Sequence, residues 1–292
     1  MKHAGGGRAD AFFRGFTPAA HRGASREFPE NTLEAFRRAR EILPGCLLET
    51  DVRRTGDGAI VVIHDEMLEL KTNGVGPVGD WPTAELLSLD AGYNITFDGG
   101  ATYPFRGKGH RIPLLSEALS AFPGARFSID IKDRDTDAAR EVVMIIAQHR
   151  ASDRVIIGSF YDRVIRYVRK NFPHILTAYS RNEILRLLAA RALGMPIVRR
   201  RGDALMVPEI AGGRACEQGG EGNGRGLRIV SPRLIRVAHR RGIPVLAWTI
   251  NRPENMRRLI DWGIDGIVTD RIDLLEEVMV EKGLLKSREI FH

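Results

Sequence analysis

Two histidines, two carboxylates and an arginine are concentrated between residues 21 and 65, and none of them is needed to build a core. The first stretch is His21-Arg22-Gly23, followed by Pro29-Glu30-Asn31-Thr32. The second is Leu48-Glu49-Thr50-Asp51-Val52, which runs on to His64-Asp65. Carboxylates are the ligands that hard divalent cations prefer. Arginine grips a phosphate through a planar fork of donors. Imidazoles move protons near neutral pH. Such a set can hold a cation, grip a phosphate and move protons on either side of it.

Spacing supports that grouping. Glu49 and Asp51 are two apart on an expected strand, Leu47 to Val52, so both point to one face. Asp57-Gly58 is a strong signal for a two-residue hairpin turn. A turn centred there pairs residues 56 and 59, and so sets Asp51 opposite His64. The inference depends on the register, because a slip of one residue reverses the face.

The elements that must position these residues alternate along the chain. Strands are expected at 17–21, 46–52, 126–132, 154–160, 174–179, 203–208, 243–249 and 264–269. They are short apolar or β-branched runs, as parallel strands buried on both faces should be. Helices are expected at 31–43, 115–122, 136–149, 161–171, 181–193, 231–241, 253–261 and 271–282. Asn31, Ser116 and Ser231 are candidate N-caps, although Asn31 can equally face a metal. Pro232 and Pro253 suit first turns, and Gly242 and Gly263 suit C-terminal stops. Eight such units predict an α/β fold, a (β/α)₈ TIM barrel. Residues 65–113 are too long for a βα connection and read as a small subdomain inserted after the hairpin. Trp81, Tyr93, Phe97 and Tyr103 are expected to pack its core. Residues 1–16 read as a flexible tail and 17–292 as one barrel domain. Gly212–Gly226 reads as a mobile loop.

Chemistry in such a barrel lies at the C-terminal ends of the strands. His21 and Arg22 end the first strand and Glu49 and Asp51 the second. Asp130 and Lys132 end the third, and Trp248 ends the seventh. Glu49, Asp51 and Asp130 offer oxygen ligands for one divalent cation, Mg²⁺ or Ca²⁺; zinc is less natural. His21 and His64 would form a general acid and base pair around a metal-bound phosphate. Arg22 and Lys132 would hold its oxygens. Trp248 and Phe160 read as core residues or as a platform for the alcohol. The other histidines read as structural.

Composition narrows the partners. Of 292 residues 43% are hydrophobic and 28% charged, which is ordinary for a globular protein. No run of 18 apolar residues exists, so stable membrane insertion is not expected. The first 16 residues have no apolar segment of a secretory signal. With only Cys46 and Cys216 there is no disulfide scaffold, and a cytoplasmic location is the default. Net charge is +7, from 37 arginines and 7 lysines set against 37 acidic residues. The arginines are dispersed and not interleaved with aromatics, so no nucleic-acid partner is expected. An anionic small molecule is.

The chain resembles the glycerophosphodiester phosphodiesterases, metal-dependent members of the phosphatidylinositol-phospholipase-C-like barrels. The resemblance is carried by His21-Arg-Gly-Ala with Pro29-Glu-Asn-Thr, Leu48-Glu-Thr-Asp-Val with Thr55-Gly-Asp-Gly, and Val61-Val-Ile-His-Asp. It continues through Thr72-Asn-Gly-Val-Gly, Val245-Leu-Ala-Trp-Thr-Ile-Asn and Gly263-Ile-Asp-Gly-Ile-Val-Thr-Asp. It implies His21 and His64 as acid–base catalysts, and Glu49, Asp51 and the acid at 130 as metal ligands. It also implies phosphate contacts from Arg22 and Lys132. The expected substrate is a small glycerophosphodiester, cleaved to glycerol 3-phosphate and an alcohol. Position 130 is usually glutamate in that family; Asp130 is one methylene shorter, which opens a difference in metal preference. The alternative is a phospholipase-D-like or lysophospholipase D activity at the same site. It would need an apolar channel, and the insertion has no long apolar stretch. The oligomeric state is left open by the sequence.

Overall fold

The computed structural model describes residues 7–192, 201–211 and 226–286. Helix α1 (Arg8–Phe12) precedes β1 (Thr17–His21) and α2 (Leu33–Ile42). The hairpin of β2 (Leu47–Arg54) and β3 (Ile60–Val62) follows, then α3 (Thr83–Leu86) within the insertion and α4 (Leu115–Ala121). Next come β4 (Phe127–Ile131), α5 (Thr136–Gln148), β5 (Val155–Gly158), α6 (Asp162–Asn171), β6 (Leu176–Thr177) and α7 (Arg181–Ala192). β7 (Leu205–Pro208) leads to a two-stranded ribbon of β8 (Ile210–Ala211) and β9 (Leu227–Arg228), then α8 (Pro232–His239). The last units are β10 (Val245–Trp248) with α9 (Pro253–Asp261), and β11 (Gly266–Thr269) with α10 (Ile272–Glu281). Most of the expected Gly212–Gly226 loop, together with Cys216, lies outside the described residues.

Eight parallel strands run β6-β5-β4-β2-β1-β11-β10-β7. The remaining seam, between β6 and β7, is closed by a parallel bridge of Ala178 and Ala204. Tyr179 N donates to Ala204 O (3.0 Å) and Asp203 N to Thr177 O (2.8 Å) across it. The result is the α/β barrel that the eight expected strands predict. Alternation sorts each strand between two cores. Ala20, Leu48, Val52, Phe127, Ile129, Val155, Val245 and Ile267 face the helices. Ala19, Leu47, Ile156, Leu176, Ala204, Leu246 and Val268 fill the barrel.

The N-terminal segment departs from the expected tail. Arg8–Phe12 is helical, and Ala9, Phe12 and Phe13 pack against the barrel-filling side chains. Arg126 reaches over the Phe12 ring at 5.6 Å, and Arg8 donates to the carbonyls of Pro173 and His174. Five helical residues are too few to show a period in sequence. Burial of two phenylalanines, not helix propensity, orders them.

The hairpin also differs. Val52 pairs with Val62 and Arg54 with Ile60, and Ile63 N donates to Asp51 O. Asp51 therefore stands opposite Ile63, one residue from the expected register. The turn holds three residues, Gly56 to Gly58, between Thr55 and Ala59. Gly58 has φ +98°, and Thr55 and Thr83 hold the Asp57 carboxylate, which together accommodate the extra residue.

Residues 65–113 carry an aliphatic core of Leu68, Val78, Leu86, Leu89, Ala91 and Ile112 set on Val61 and Ile63 of the hairpin. Of the aromatics expected in that core, Trp81 is partly buried against it. Tyr93, Phe97 and Tyr103 are exposed, and the two tyrosines clasp the Arg106 guanidinium at 4.2 and 4.0 Å. Two of the expected caps also fall elsewhere. Thr32, not Asn31, caps α2, and Leu114 with Glu117 opens α4 in place of Ser116; Ser231 caps α8.

Phe12→Ala is expected to destabilise the protein by about 3 kcal/mol, as loss of a buried ring does. A urea titration with a lowered midpoint and unchanged slope checks it; an unshifted midpoint would return the segment to a frayed tail. A second expectation concerns pH. His239 Nε2 donates to Asp265 Oδ2 (2.7 Å), and that hydrogen bond raises its pKa above the usual value. The stabilisation is therefore full below the unfolded pKa of about 6.5 and is lost as pH rises through the raised native value. The stability gap between the wild type and His239→Gln should be widest at acid pH and close at alkaline pH.

Candidate active site

Parallel register stacks the polar strand ends beside one another. His21 of β1 pairs with Glu49 of β2, and Asp51 of β2 pairs with Asp130 of β4. All of them point into the barrel mouth by alternation. A cavity of about 290 Å³ opens there, lined by His21, Arg22, Glu49, Asp51, His64, Asp130, Lys132 and Trp248 among others. Every site residue singled out in the sequence thus borders one space. His64 reaches it although the hairpin register is not the expected one. β3 ends at Val62, so His64 is freed from the ladder, and its backbone carbonyl accepts from Arg53 Nε (2.9 Å).

Both histidines are backed by carboxylates. His21 Nδ1 donates to Asp270 Oδ1 (2.6 Å), and His64 Nδ1 donates to Asp65 Oδ1 (2.9 Å). That fixes the tautomer of each neutral ring and leaves Nε2 to exchange protons. Burial and Arg22 push the His21 pKa down. The Asp270 hydrogen bond and the charges of Glu49 and Asp270 more than offset them, so the value is raised. Asp270 is itself held down at about 2 in spite of burial, by His21 and by Asn251 Nδ2, which donates to it at 2.7 Å. Asp270, Asn251 and Glu30 were missed in the sequence reading. Asp270 follows β11 directly, so the strand-end rule that picked out His21 and Asp130 would have found it.

The cations are just as constrained. Lys132 Nζ lies 2.9 Å from Asp51 Oδ1 and 2.5 Å from Asp130 Oδ2. Arg22 Nη1 donates to Glu30 (2.9 Å), whose other oxygen accepts from Lys71 of the insertion (3.3 Å). Arg22 Nε stands 3.0 Å from Asp51 Oδ2 but is off the N–H axis, so the attraction is electrostatic and no directed hydrogen bond forms. Burial opposes the charge on Asp51; Lys132 and Arg22 overcome it and hold the carboxyl far below its usual range. Asn31 serves this carboxylate and not the helix. Its Nδ2 donates to Asp51 Oδ2 (3.1 Å), and its Oδ1 accepts from Thr50 Oγ1 (2.8 Å). Arg22 and Asn31 both adopt left-handed backbone, at φ +58° and +60°, and Asn31 N donates to Arg22 O. Non-glycine residues in that region concentrate at functional sites. Gly23 beside them is required as glycine, since a Cβ would fall 2.7 Å from the Ala35 backbone.

The donors for a divalent cation are oxygen-only and share the cavity. Among the described residues no three acidic, histidine or cysteine side chains stand as a ready coordination shell, because Asp51 and Asp130 turn to Lys132. Glu49 is different: its ion-pair contact is His21 Nε2, at 3.9 Å, and its Oε2 accepts from Arg22 N (3.2 Å). Burial and the Asp51 charge raise its pKa. A buried carboxylate two residues from another suits an added cation, so the residues fit the group.

A closed barrel with carboxylate-backed histidines and buried cations at its C-terminal face is built as an enzyme for phosphate esters. A model of the glycerophosphoryl diester phosphodiesterase family matches residues 21–274. A probable glycerophosphodiester phosphodiesterase 2 of Mycobacterium tuberculosis is 32% identical, over 95% of this chain and 93% of that protein. A glycerophosphodiester phosphodiesterase of Caldanaerobacter subterraneus is 32% identical, over 90% of this chain and 97% of its own. The solved structure of an Oleispira antarctica phosphodiesterase in complex with the product sn-glycerol-3-phosphate shares the fold. Its TM-score is 0.71 at 22% identity, covering 93% of this chain and 98% of that one. The chain belongs to the glycerophosphoryl diester phosphodiesterase family.

Asp270→Asn keeps the shape behind His21 and removes the charge. Turnover should fall about 10²-fold, the scale of a positioned acid–base group, with KM little changed. Since Asp270 raises the His21 pKa, that imidazole should titrate at lower pH in the variant, which an NMR pH titration checks.

Proposed function

We propose that the chain hydrolyses glycerophosphodiesters to glycerol 3-phosphate and an alcohol. The observation that carries this is the pair of histidines, each with Nδ1 on an aspartate, facing a mouth that also holds Arg22 and Lys132. Membership of the family sets the substrate class.

In this reading Arg22 and Lys132 bind the non-bridging phosphate oxygens and orient phosphorus between the histidines. One imidazole takes the proton from the attacking oxygen, that of water or of the glycerol hydroxyl next to the phosphate. The other gives a proton to the departing alcohol. The Asp270 and Asp65 carboxylates stabilise each ring as it becomes cationic. Glu49, Asp51 and Asp130 would hold one divalent cation, Mg²⁺ or Ca²⁺, which neutralises phosphate charge and polarises the P–O bond. Trp248, which lines the same cavity, would pack the alcohol moiety.

The test is release of glycerol 3-phosphate from glycerophosphocholine and glycerophosphoethanolamine with chelator, Mg²⁺ or Ca²⁺. Release should require the metal and fall at least about 10²-fold in His21→Ala and in His64→Ala. Equal release in the presence of chelator would rule out the cation, and full activity in either variant would rule out the histidine pair.

A further inference from the structure

Six charged side chains form one alternating chain along the charged side of the mouth. Asp130 Oδ2 meets Lys132 Nζ at 2.5 Å, and Lys132 Nζ meets Asp51 Oδ1 at 2.9 Å. Asp51 Oδ2 faces Arg22 Nε at 3.0 Å, and Arg22 Nη1 donates to Glu30 Oε1 at 2.9 Å. Glu30 Oε2 then accepts from Lys71 Nζ at 3.3 Å. Three carboxylates are thus matched by three cations, and the last cation comes from the insertion rather than the barrel. Arg22 lines the mouth, but neither Glu30 nor Lys71 is among the described residues that border it. The two share a cleft of about 20 Å³ behind it, with Asn31 and His64. The backbone under Lys71 is anchored. Its N–H donates to the carbonyl of Leu68 and its carbonyl accepts from Asn94 N, while Leu68 and Thr72 are buried. A cation is therefore held at the back of the phosphate-binding arginine without facing the substrate.

We infer that Lys71 is a positioning residue for phosphate binding, acting on Arg22 through Glu30. The inference rests on the phosphodiesterase reading above, in which Arg22 grips a non-bridging oxygen. Arg22 offers a fork of donors, and Glu30 takes Nη1 of it. How much of the Arg22 charge reaches a phosphate depends on how strongly Glu30 claims it. Lys71 divides that claim, since one Glu30 oxygen goes to each cation. Without the Lys71 charge the chain holds three carboxylates against two cations, and the surplus falls on Glu30. Arg22 is then drawn towards Glu30, and the phosphate meets a weaker cation. The histidines keep their own partners, Asp270 and Asp65. The effect therefore belongs to substrate binding and not to proton transfer. An interaction made equally in ground state and transition state changes KM and leaves kcat alone.

The test measures kcat and KM on glycerophosphocholine, and binding of glycerol 3-phosphate by calorimetry. The proteins compared are the wild type, Lys71→Met, Lys71→Arg, and Glu30→Gln with and without Lys71→Met. Lys71→Met should raise KM and weaken glycerol 3-phosphate binding about five- to tenfold, the scale of a unit charge two ion pairs away. Its kcat should stay within about twofold of the wild type. Lys71→Arg keeps the charge and should stay within about twofold in both. At about 0.5 M salt the gap between Lys71→Met and the wild type should narrow, because the lysine is partly open to solvent. A merely structural role would not respond in that way. In the Glu30→Gln background Lys71→Met should cost less than about twofold, because the two act as one unit. An unchanged KM in Lys71→Met, with or without a lower kcat, would overturn the inference and leave the phosphodiesterase reading standing. A Lys71→Arg protein as weak as Lys71→Met would overturn the role of charge. A full effect in the Glu30→Gln background would overturn the route through Glu30. A wild type that neither cleaves glycerophosphocholine nor binds glycerol 3-phosphate would overturn both readings.

Discussion

Asp51 carries a buried negative charge between the buried Arg22 and the partly buried Lys132, and the mouth of the barrel is organised around that fact. Lys132 and Arg22 close on its two oxygens, and Asn31 adds a directed hydrogen bond. Removing one partner from such a cluster typically costs about 3–5 kcal/mol, because the charge left behind has neither water nor an opposite charge. Each cation is tied further out. Lys132 also holds Asp130, and Arg22 holds Glu30, which in turn holds Lys71 of the insertion. The inserted segment is therefore fixed to the site by charge as well as by packing. Glu49, two residues from Asp51, is buried beside that charge, and burial together with the Asp51 charge raises its pKa. The two carboxylates thus share one face but differ in their partners: Asp51 has two cations and Asn31, Glu49 has His21 and the Arg22 backbone N–H.

Strand register turns this local cluster into a usable face. Parallel neighbours align their ends, so residues with alternation into the barrel meet at one level. Because the polar ends come from four adjacent strands, the charge collects on one side of the mouth and leaves the opposite side to Met206, Trp248 and α7. The bottom of the barrel is dealt with separately, by Phe12 of α1 and Phe13 directly after it. Stability at one end and chemistry at the other follow from the same eight strands.

The barrel was legible because its strands are short apolar runs at regular intervals, and the site because charge at a buried strand end has no packing explanation. What was not legible depended on single residues or distant contacts. The hairpin register turned on one extra loop residue, which Asp57 accommodates by binding Thr83, a residue 26 positions away. Asn31 has the composition of a helix cap, yet its backbone lies in the left-handed region and its amide is claimed by Asp51, so Thr32 caps instead. Asp270 is 249 residues from His21 and becomes its partner only because β11 closes against β1. The apolar half of the mouth was sought in the insertion. It comes instead from small strand-end residues and from one face of α7, neither of which forms an apolar run in sequence.

The most direct measurement is diffraction from crystals grown with sn-glycerol 3-phosphate and Mn²⁺, with anomalous data to place the metal. The expected result is one metal peak among Glu49, Asp51 and Asp130, with the phosphate against Arg22 and Lys132 and within reach of His21 or His64. A metal peak away from those carboxylates, or a phosphate bound outside the mouth, would contradict the assignment of the site.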